Sequence, residues 1–458
     1  MIVSKPVMSR WWVVLGAILI QLCLGVIYAW SVFTNALTEE PFGFSKTQTQ
    51  VIFSVGLATF AVVTVLSGRL QGKIPPRILA LAGGIVLGAG YIAAYFMGTS
   101  YGGLVLTIGL VGGAGIGLAY TVPIAVGVRW FPDKKGLLTG LAVAGFGFGA
   151  LLWIYLAGSF GGWIAKFGVS QTFWMFGILF VLLVGIGAIW MVNPPEGYIP
   201  AGWNPARAKG GRVATRGGRD LTTFQMLRTA QFYQLWVMFA AGAMAGLMVI
   251  GCIKLFGSER LLEHFRAAGL DDAAAVAKAA ATTELAMAVF FAIANGLGRI
   301  VWGIISDVIG RKTSLAIMLA LQAAVMASFY WLAASPAVFC VAAALIGFNF
   351  GGNFALFPAA TADLFGNNNV GANYGWVFTS YGLGGILGPI LGGWFGDFAK
   401  NSGSLTAWLV PFFTAAGACL LAAVLAAILK PPVAASETAA TDRIRPGTPV
   451  SPASVSAK

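Results

Sequence analysis

The sequence predicts an all-α membrane protein in which twelve transmembrane helices form two six-helix halves. Three observations lead there. Hydrophobic residues make up 58% of the 458-residue chain and charged residues only 9%, whereas soluble domains carry about 25% charged residues. The apolar stretches are continuous and long enough to cross a bilayer as helices. They are not the alternating segments of about ten residues that build a transmembrane barrel. A polar, basic stretch at 194–231 then divides the runs equally.

In chain order the first six runs fall at 11–34, 48–68, 78–98, 103–128, 136–158 and 172–193. The other six fall at 232–256, 283–304, 313–334, 336–358, 373–396 and 405–429. The first run follows Arg10 directly and is of full spanning length, so it reads as a retained helix rather than a cleaved leader. The halves are therefore expected at 1–193 and 232–430. Residues 194–231 form a basic cytoplasmic linker and 431–458 a low-complexity, disordered tail. The loop at 257–281 is longer than its neighbours, and its alanine-rich part at 271–286 favours a helix.

Orientation follows from the 28 lysines and arginines. With the N-terminus in the cytoplasm, most of them fall inside: Lys5 and Arg10, Arg69 to Arg77, Arg129 to Lys135, the linker arginines, Arg311 and Lys312. Lys46, Lys166, Lys254, Arg260, Arg266, Lys278 and Lys400 fall outside. Cytoplasmic loops carry such an excess. Both termini are thus expected in the cytoplasm, and the protein in the inner (plasma) membrane as a multi-pass monomer. The same distribution accounts for the net charge of +13 without a nucleic acid partner. Cys23, Cys252, Cys340 and Cys419 lie in separate apolar runs. With no metal-type cluster and no nucleophile–base set inside the membrane, neither metal, cofactor nor enzymatic activity is expected.

One arginine, Arg299, lies inside the eighth run. A guanidinium cannot be neutralised in a protein, and placing it on a membrane helix costs about 2.5–3.5 kcal/mol on insertion scales. Such a residue is expected to face a cavity, against the alternative of snorkelling to the headgroups. If Asp307 marks the membrane edge, Arg299 lies about 12 Å inside it at about 1.5 Å per residue. The run ends in Gly303-x-x-x-Asp307-x-x-Gly310-Arg311-Lys312. Asp307 and Arg311 are expected to form a gating latch, a structural role rather than a substrate contact. A related loop from Gly68 to Arg77 joins the second and third runs, so the two halves repeat one another. The 62 glycines suit close helix contacts, and Pro389 suits a kink.

The repeated loop resembles the signature of the major facilitator superfamily. Further segments resemble its oxalate:formate antiporter family over about residues 10–430. These are Arg10-Trp11-Trp12, Gly25-Val26-Ile27-Tyr28-Ala29-Trp30, Arg129-Trp130-Phe131-Pro132-Asp133-Lys134-Lys135-Gly136, Gly351-Gly352-Asn353-Phe354-Ala355-Leu356-Phe357-Pro358 and Asn373-Tyr374-Gly375.

The resemblance implies a small carboxylate held between aromatic and basic groups. Arg299 matches the family's eighth-helix arginine, and Tyr28 and Tyr120 match its pocket tyrosines. Phe146, Phe350 and Phe354 stand where the oxalate carrier has polar-tipped aromatics, and Phe378 where it has an aromatic. Its eleventh-helix lysine would fall at Tyr381, a departure. A dianion needs two compensating charges in a low-dielectric site, whereas one guanidinium takes one carboxylate as a bidentate pair. The expectation is a secondary active transporter of a small monocarboxylate of the formate, acetate, pyruvate or lactate kind, working by alternating access. Tyr28, Tyr120, Tyr381 and Asn349 would hydrogen-bond it.

Two alternatives stand beside this expectation. One is an oxalate-type dicarboxylate exchanger, which needs Lys254 or another cation to reach the site. The other is a carrier-like carboxylate sensor. A proton stays open as a second partner, through symport, as does anion exchange. Glu284 is the one carboxylate at a suitable helix position, and it lies about four turns before Arg299. Related proton-linked monocarboxylate transporters place an aspartate where this chain has Asn295. His264 is expected in the outer loop.

Overall fold

The computed structural model describes residues 8–71, 73–131, 135–158, 160–195, 198–200, 221–366 and 369–431. The expected linker's central part at 201–220, the tail at 432–458 and Pro132-Asp133-Lys134 lie outside them. Twelve long helices occupy the described residues, and ten of them, judged on those residues, are long and apolar enough to cross a membrane.

The first half opens with α1 (Arg10–Thr38), which tightens into a 3-10 turn at Gly25–Ala29. Ser45 and Gln48 form a reciprocal capping box that starts α2 (Lys46–Leu70). Pro76, whose missing N–H is harmless in a first turn, starts α3 (Pro76–Phe96). Helix α4 runs through Tyr101–Leu104, a π-helical stretch Val105–Gly112 and Gly113–Trp130. Helices α5 (Lys135–Ala157) and α6 (Val169–Ile189) complete the half.

The second half begins with α7 (Ala230–Ala267) and α8 (Asp272–Ile309), each of 38 residues. Both outrun the expected 232–256 and 283–304, because most of the loop expected at 257–281 is helix. Asp271 accepts a hydrogen bond from the Ala274 amide, at 2.8 Å, and caps an alanine-rich first section. His264 therefore lies in the last turn of α7 rather than in a loop. Helix α8 widens into a π-helical stretch at Ala286–Phe291. Then follow α9 (Arg311–Leu332), α10 (Pro336–Phe365), α11 (Val370–Ser402) and α12 (Leu405–Ile428). Pro389 is accommodated inside α11, which stays helical throughout.

Within the first half α1 packs on α5 and α3 on α4 and α6; within the second, α8 packs on α10 and α9 on α12. Close backbone approach makes this possible. A Cβ on Gly25 would stand 2.3 Å from the Phe146 carbonyl oxygen, and one on Gly149 would stand 2.4 Å from that of Leu22. Outward faces carry exposed Phe96, Leu182, Ile304, Val308 and Leu420, as lipid-facing helices do.

The halves meet along α1–α7, α2–α11 and α5–α8. At the end bearing Lys46, Asp397 of α11 accepts from the first two amides of α2, Lys46 and Thr47, each at 2.8 Å. The Lys46 ammonium pairs with Glu259 of α7, and Gln50 donates to the Gly251 carbonyl at 3.1 Å. The carboxylate thus sits on a helix N-terminus, where orphan amides and the dipole favour an anion. These bonds close that end of the molecule.

Candidate substrate site

Arg299 sits on α8 between the halves and is 4% exposed. Its Nε donates to Asn295 Oδ1, one turn back, at 3.3 Å. Its Nη1 donates to the Val143 carbonyl of α5, in the other half, at 3.1 Å. Its guanidinium carbon lies 4.2 Å from the centre of the Phe354 ring. Its Nη2 is buried without a hydrogen-bond partner. Among the described residues no acid forms an ion pair with Arg299.

An aromatic cluster surrounds this cation. The tight turn Gly25–Ala29 carries Tyr28, whose hydroxyl lies 3.1 Å from that of Tyr381 on α11, so the two halves touch through paired phenols. The Tyr28 ring packs on Phe146 and Phe350 at 5.0 and 5.6 Å between centres. Tyr120 stacks on Phe378 at 5.8 Å and meets Phe146 edge-on at 5.4 Å. Phe350 meets Phe354 at 5.3 Å, and Phe378 stacks on Tyr381 at 4.9 Å. Local periodicity sets these rows: Asn295 and Arg299, Phe350 and Phe354, and Tyr374, Phe378 and Tyr381 recur at helical spacing on one face.

The expected residues Tyr28, Tyr120, Phe146, Phe350, Phe354, Phe378 and Tyr381 are therefore brought together with Arg299. Asn349 is buried on the same helix as Phe350, yet no hydrogen bond joins it to this cluster among the described residues. The structure adds Phe60 of α2, in contact with Tyr120, Phe146, Phe378 and Tyr381. It also adds Phe239 of α7, which packs on Phe354, Phe378 and Tyr381. Tyr374 joins through Phe378 at 5.8 Å. The spacing of Tyr374 four residues before Phe378 was the one sequence signal for any of these three.

Asp307 and Arg311 do pair, at 2.6 Å. Arg311 also reaches Asp363 of α10 at 3.3 Å and bonds the Ser306 hydroxyl. All of these partners lie in the second half, so in this conformation the latch clamps α8, α9 and α10 together rather than joining the halves. Near the same end of the first half, Arg10 lies 4.5 Å from the Phe131 ring centre, and Trp130 donates to the Val192 carbonyl at 2.7 Å.

Two six-helix halves packed around the buried Arg299 define a secondary-carrier architecture, whose sites lie between the repeats. The chain belongs to the Major Facilitator Superfamily, whose pattern matches residues 13–270 and 267–457. It is similar to the oxalate:formate antiporter of Oxalobacter formigenes, with 30% identity over 409 residues and 89% of each chain covered. It is likewise similar to YhjX, an uncharacterised MFS-type transporter of Escherichia coli (strain K12), with 30% identity over 384 residues, 82% of this chain and 86% of the relative. The apicoplast pyruvate carrier 1 of Toxoplasma gondii is 27% identical over 80% of both chains. A solved bacterial homologue of the human lysosomal transporter Spinster shares the fold, with a TM-score of 0.61 at 17% identity over 97% of this chain and all of that one.

Proposed function

We propose that this chain carries small monocarboxylates across the membrane by alternating access, exchanging one anion for another at Arg299. The observation that carries the reading is a buried guanidinium with an open Nη2, no acidic partner among the described residues and aromatic rings around it. One carboxylate neutralises that charge, and its apolar end finds ring faces instead of a second cation. Reorienting the empty site would carry an uncompensated charge through a low-dielectric interior, which favours exchange over net flux. The relatives named for oxalate, formate and pyruvate support a carboxylate class. The loop charges support cytoplasmic termini in the inner membrane.

Dicarboxylate exchange is the second reading, favoured by the similarity to the oxalate:formate antiporter. It lacks, among the described residues, a second cation beside Arg299 near Tyr381, and Lys254 is paired elsewhere with Glu284. Proteoliposomes preloaded with each of formate, acetate, lactate, pyruvate and oxalate test both readings. Uptake of labelled monocarboxylate only against a preloaded anion is expected. Preference for oxalate would favour the second reading, and full activity in Arg299→Ala would overturn both.

A further inference from the structure

A second buried cation lies away from the aromatic cluster. Lys254 of α7 and Glu284 of α8 form an ion pair, Nζ to Oε2 3.1 Å, with side-chain exposures of 11% and 0%. Lys254 faces a cavity of ≈ 650 Å³ that is also lined by Asn35, Glu39, Ser258 and Glu259. The cavity opens between α1, α5 and the start of α6 on one side and α7 and α8 on the other. The second carboxylate oxygen of Glu284 presses against α5, where a Cβ on Gly158 would stand 2.0 Å from it. Along α8, about 22 Å separates Glu284 from Arg299 at about 1.5 Å per residue.

A buried ion pair is a poor strut, because apolar groups of similar size often hold a core as well or better. Lys254 lies in a cavity wall and the pair sits at the contact between the halves, which gives the ammonium access to ligands. We propose that Lys254 and Glu284 form a proton-gated docking station for the carboxylate on its way to Arg299. The proposal rests on the reading of the chain as a carboxylate carrier.

Charge balance drives the station. The resting pair has no net charge. A carboxylate arriving alone would leave one negative charge in a desolvated place, and a proton alone one positive charge; both states are disfavoured. Together they restore neutrality. A proton from cavity water binds Glu284 Oε2, the ammonium of Lys254 is released, and it pairs with the incoming carboxylate. When the anion moves on, Glu284 returns its proton to the water and closes again on Lys254. Proton and anion therefore strengthen each other's binding by the same factor, and no proton crosses the membrane.

The surrounding charges suit paired arrival. On α7, Glu259 is held by Lys46 of α2, whose backbone amide is capped by Asp397 of α11. Glu39 and Glu40, exposed beyond the end of α1, flank the cavity. From α5 and α6 the cavity is lined by Ala157, Gly158 and Val169, which carry no charge, and the uncharged Phe339 of α10 and Thr283 of α8 both pack at Gly257. The acids repel a bare anion and raise the local proton concentration.

The test is homo-exchange by the purified full chain in proteoliposomes. External labelled pyruvate, or formate if pyruvate is not carried, is measured against the same unlabelled anion inside, with internal pH fixed and external pH varied. In wild type the apparent KM should fall as external pH falls, by at most about tenfold per unit for one titrating group, with the maximal rate unchanged. Glu284→Gln mimics the protonated acid and should give a low KM at every pH. Lys254→Gln/Glu284→Gln, a neutral pair with no buried charge to misfold, should give a high KM at every pH. A wild-type KM that ignores pH, or either variant keeping the wild-type slope, overturns the station. Arg299→Met separates the two ideas. If it exchanges like wild type, Arg299 is not the exchange site, and the station as the approach to Arg299 falls with it. If it is dead while Glu284→Gln keeps the wild-type slope, only the station fails.

Discussion

Two of the buried cations, Lys254 and Arg299, are treated in opposite ways. Lys254 has an acid at 3.1 Å and is neutral as a pair. Arg299 has a backbone carbonyl, an amide oxygen and a ring face. A desolvated cation over a ring gains about 2 kcal/mol, well short of the several kcal/mol that burying an ion costs. Lys254 is thus settled at rest, whereas Arg299 is held ready for a negative partner that the described residues do not supply. Sites that strain against stability in this way are typically functional.

The comparison breaks most sharply under substitution of each cation. Arg299→Met should cut exchange by more than about 100-fold, because a charge-assisted bidentate contact is lost. Its thermal midpoint should hold or rise, since an uncompensated charge has gone. Lys254→Met should do the reverse to stability. It removes the cation that balances the buried Glu284 carboxylate, and breaking such a pair costs about 3–5 kcal/mol; Lys254→Met/Glu284→Leu should recover most of that loss. Equal falls in the midpoints of Arg299→Met and Lys254→Met would remove the distinction.

A saturating carboxylate sharpens the contrast from the other side. At about 100 times its Kd, a ligand bound only by the folded chain stabilises by about 2.7 kcal/mol. The shift should appear in wild type and vanish in Arg299→Met. Tyr381→Lys places a second cation beside the cluster and should raise oxalate exchange relative to pyruvate by about tenfold, one charge-assisted contact's worth. An unchanged ratio would take Tyr381 out of the substrate's reach. The smallest effect concerns the closed end. In a chain without native cysteines, Asp397→Asn should speed alkylation of Gln50→Cys by about fivefold, the equivalent of about 1 kcal/mol of lost capping.

Much of this was legible before any fold was known. Apolar runs and loop charges mark the twelve helices, since the bilayer forces every backbone polar group into a helix. Arg299 stands out because a permanent charge inside such a run has few innocent explanations. Phe60 and Phe239 do not stand out, because a phenylalanine on a membrane helix looks the same whether it faces lipid, a neighbour or a substrate. Only the rotation of α2 and α7 against α4, α10 and α11 turns them into the cluster. The Lys254–Glu284 pair was hidden for another reason. The apolar runs place Lys254 near the end of one helix and Glu284 near the start of the next, but do not fix the rotation of α7 and α8 that turns the two side chains toward each other.

The bond between Asp397 and α2 carries an evolutionary consequence. Two of its contacts are to the backbone amides of Lys46 and Thr47, and a backbone amide survives almost any substitution except proline. Those two bonds therefore tolerate substitution at both α2 positions, while on α11 they depend on a single carboxylate. The side chains of α2 add separate contacts, the Thr47 hydroxyl to Asp397 and the Lys46 ammonium to Glu259. Variation at Asp397 should therefore loosen this end in large steps, and variation at positions 46 and 47, which keeps the amide bonds, in smaller ones.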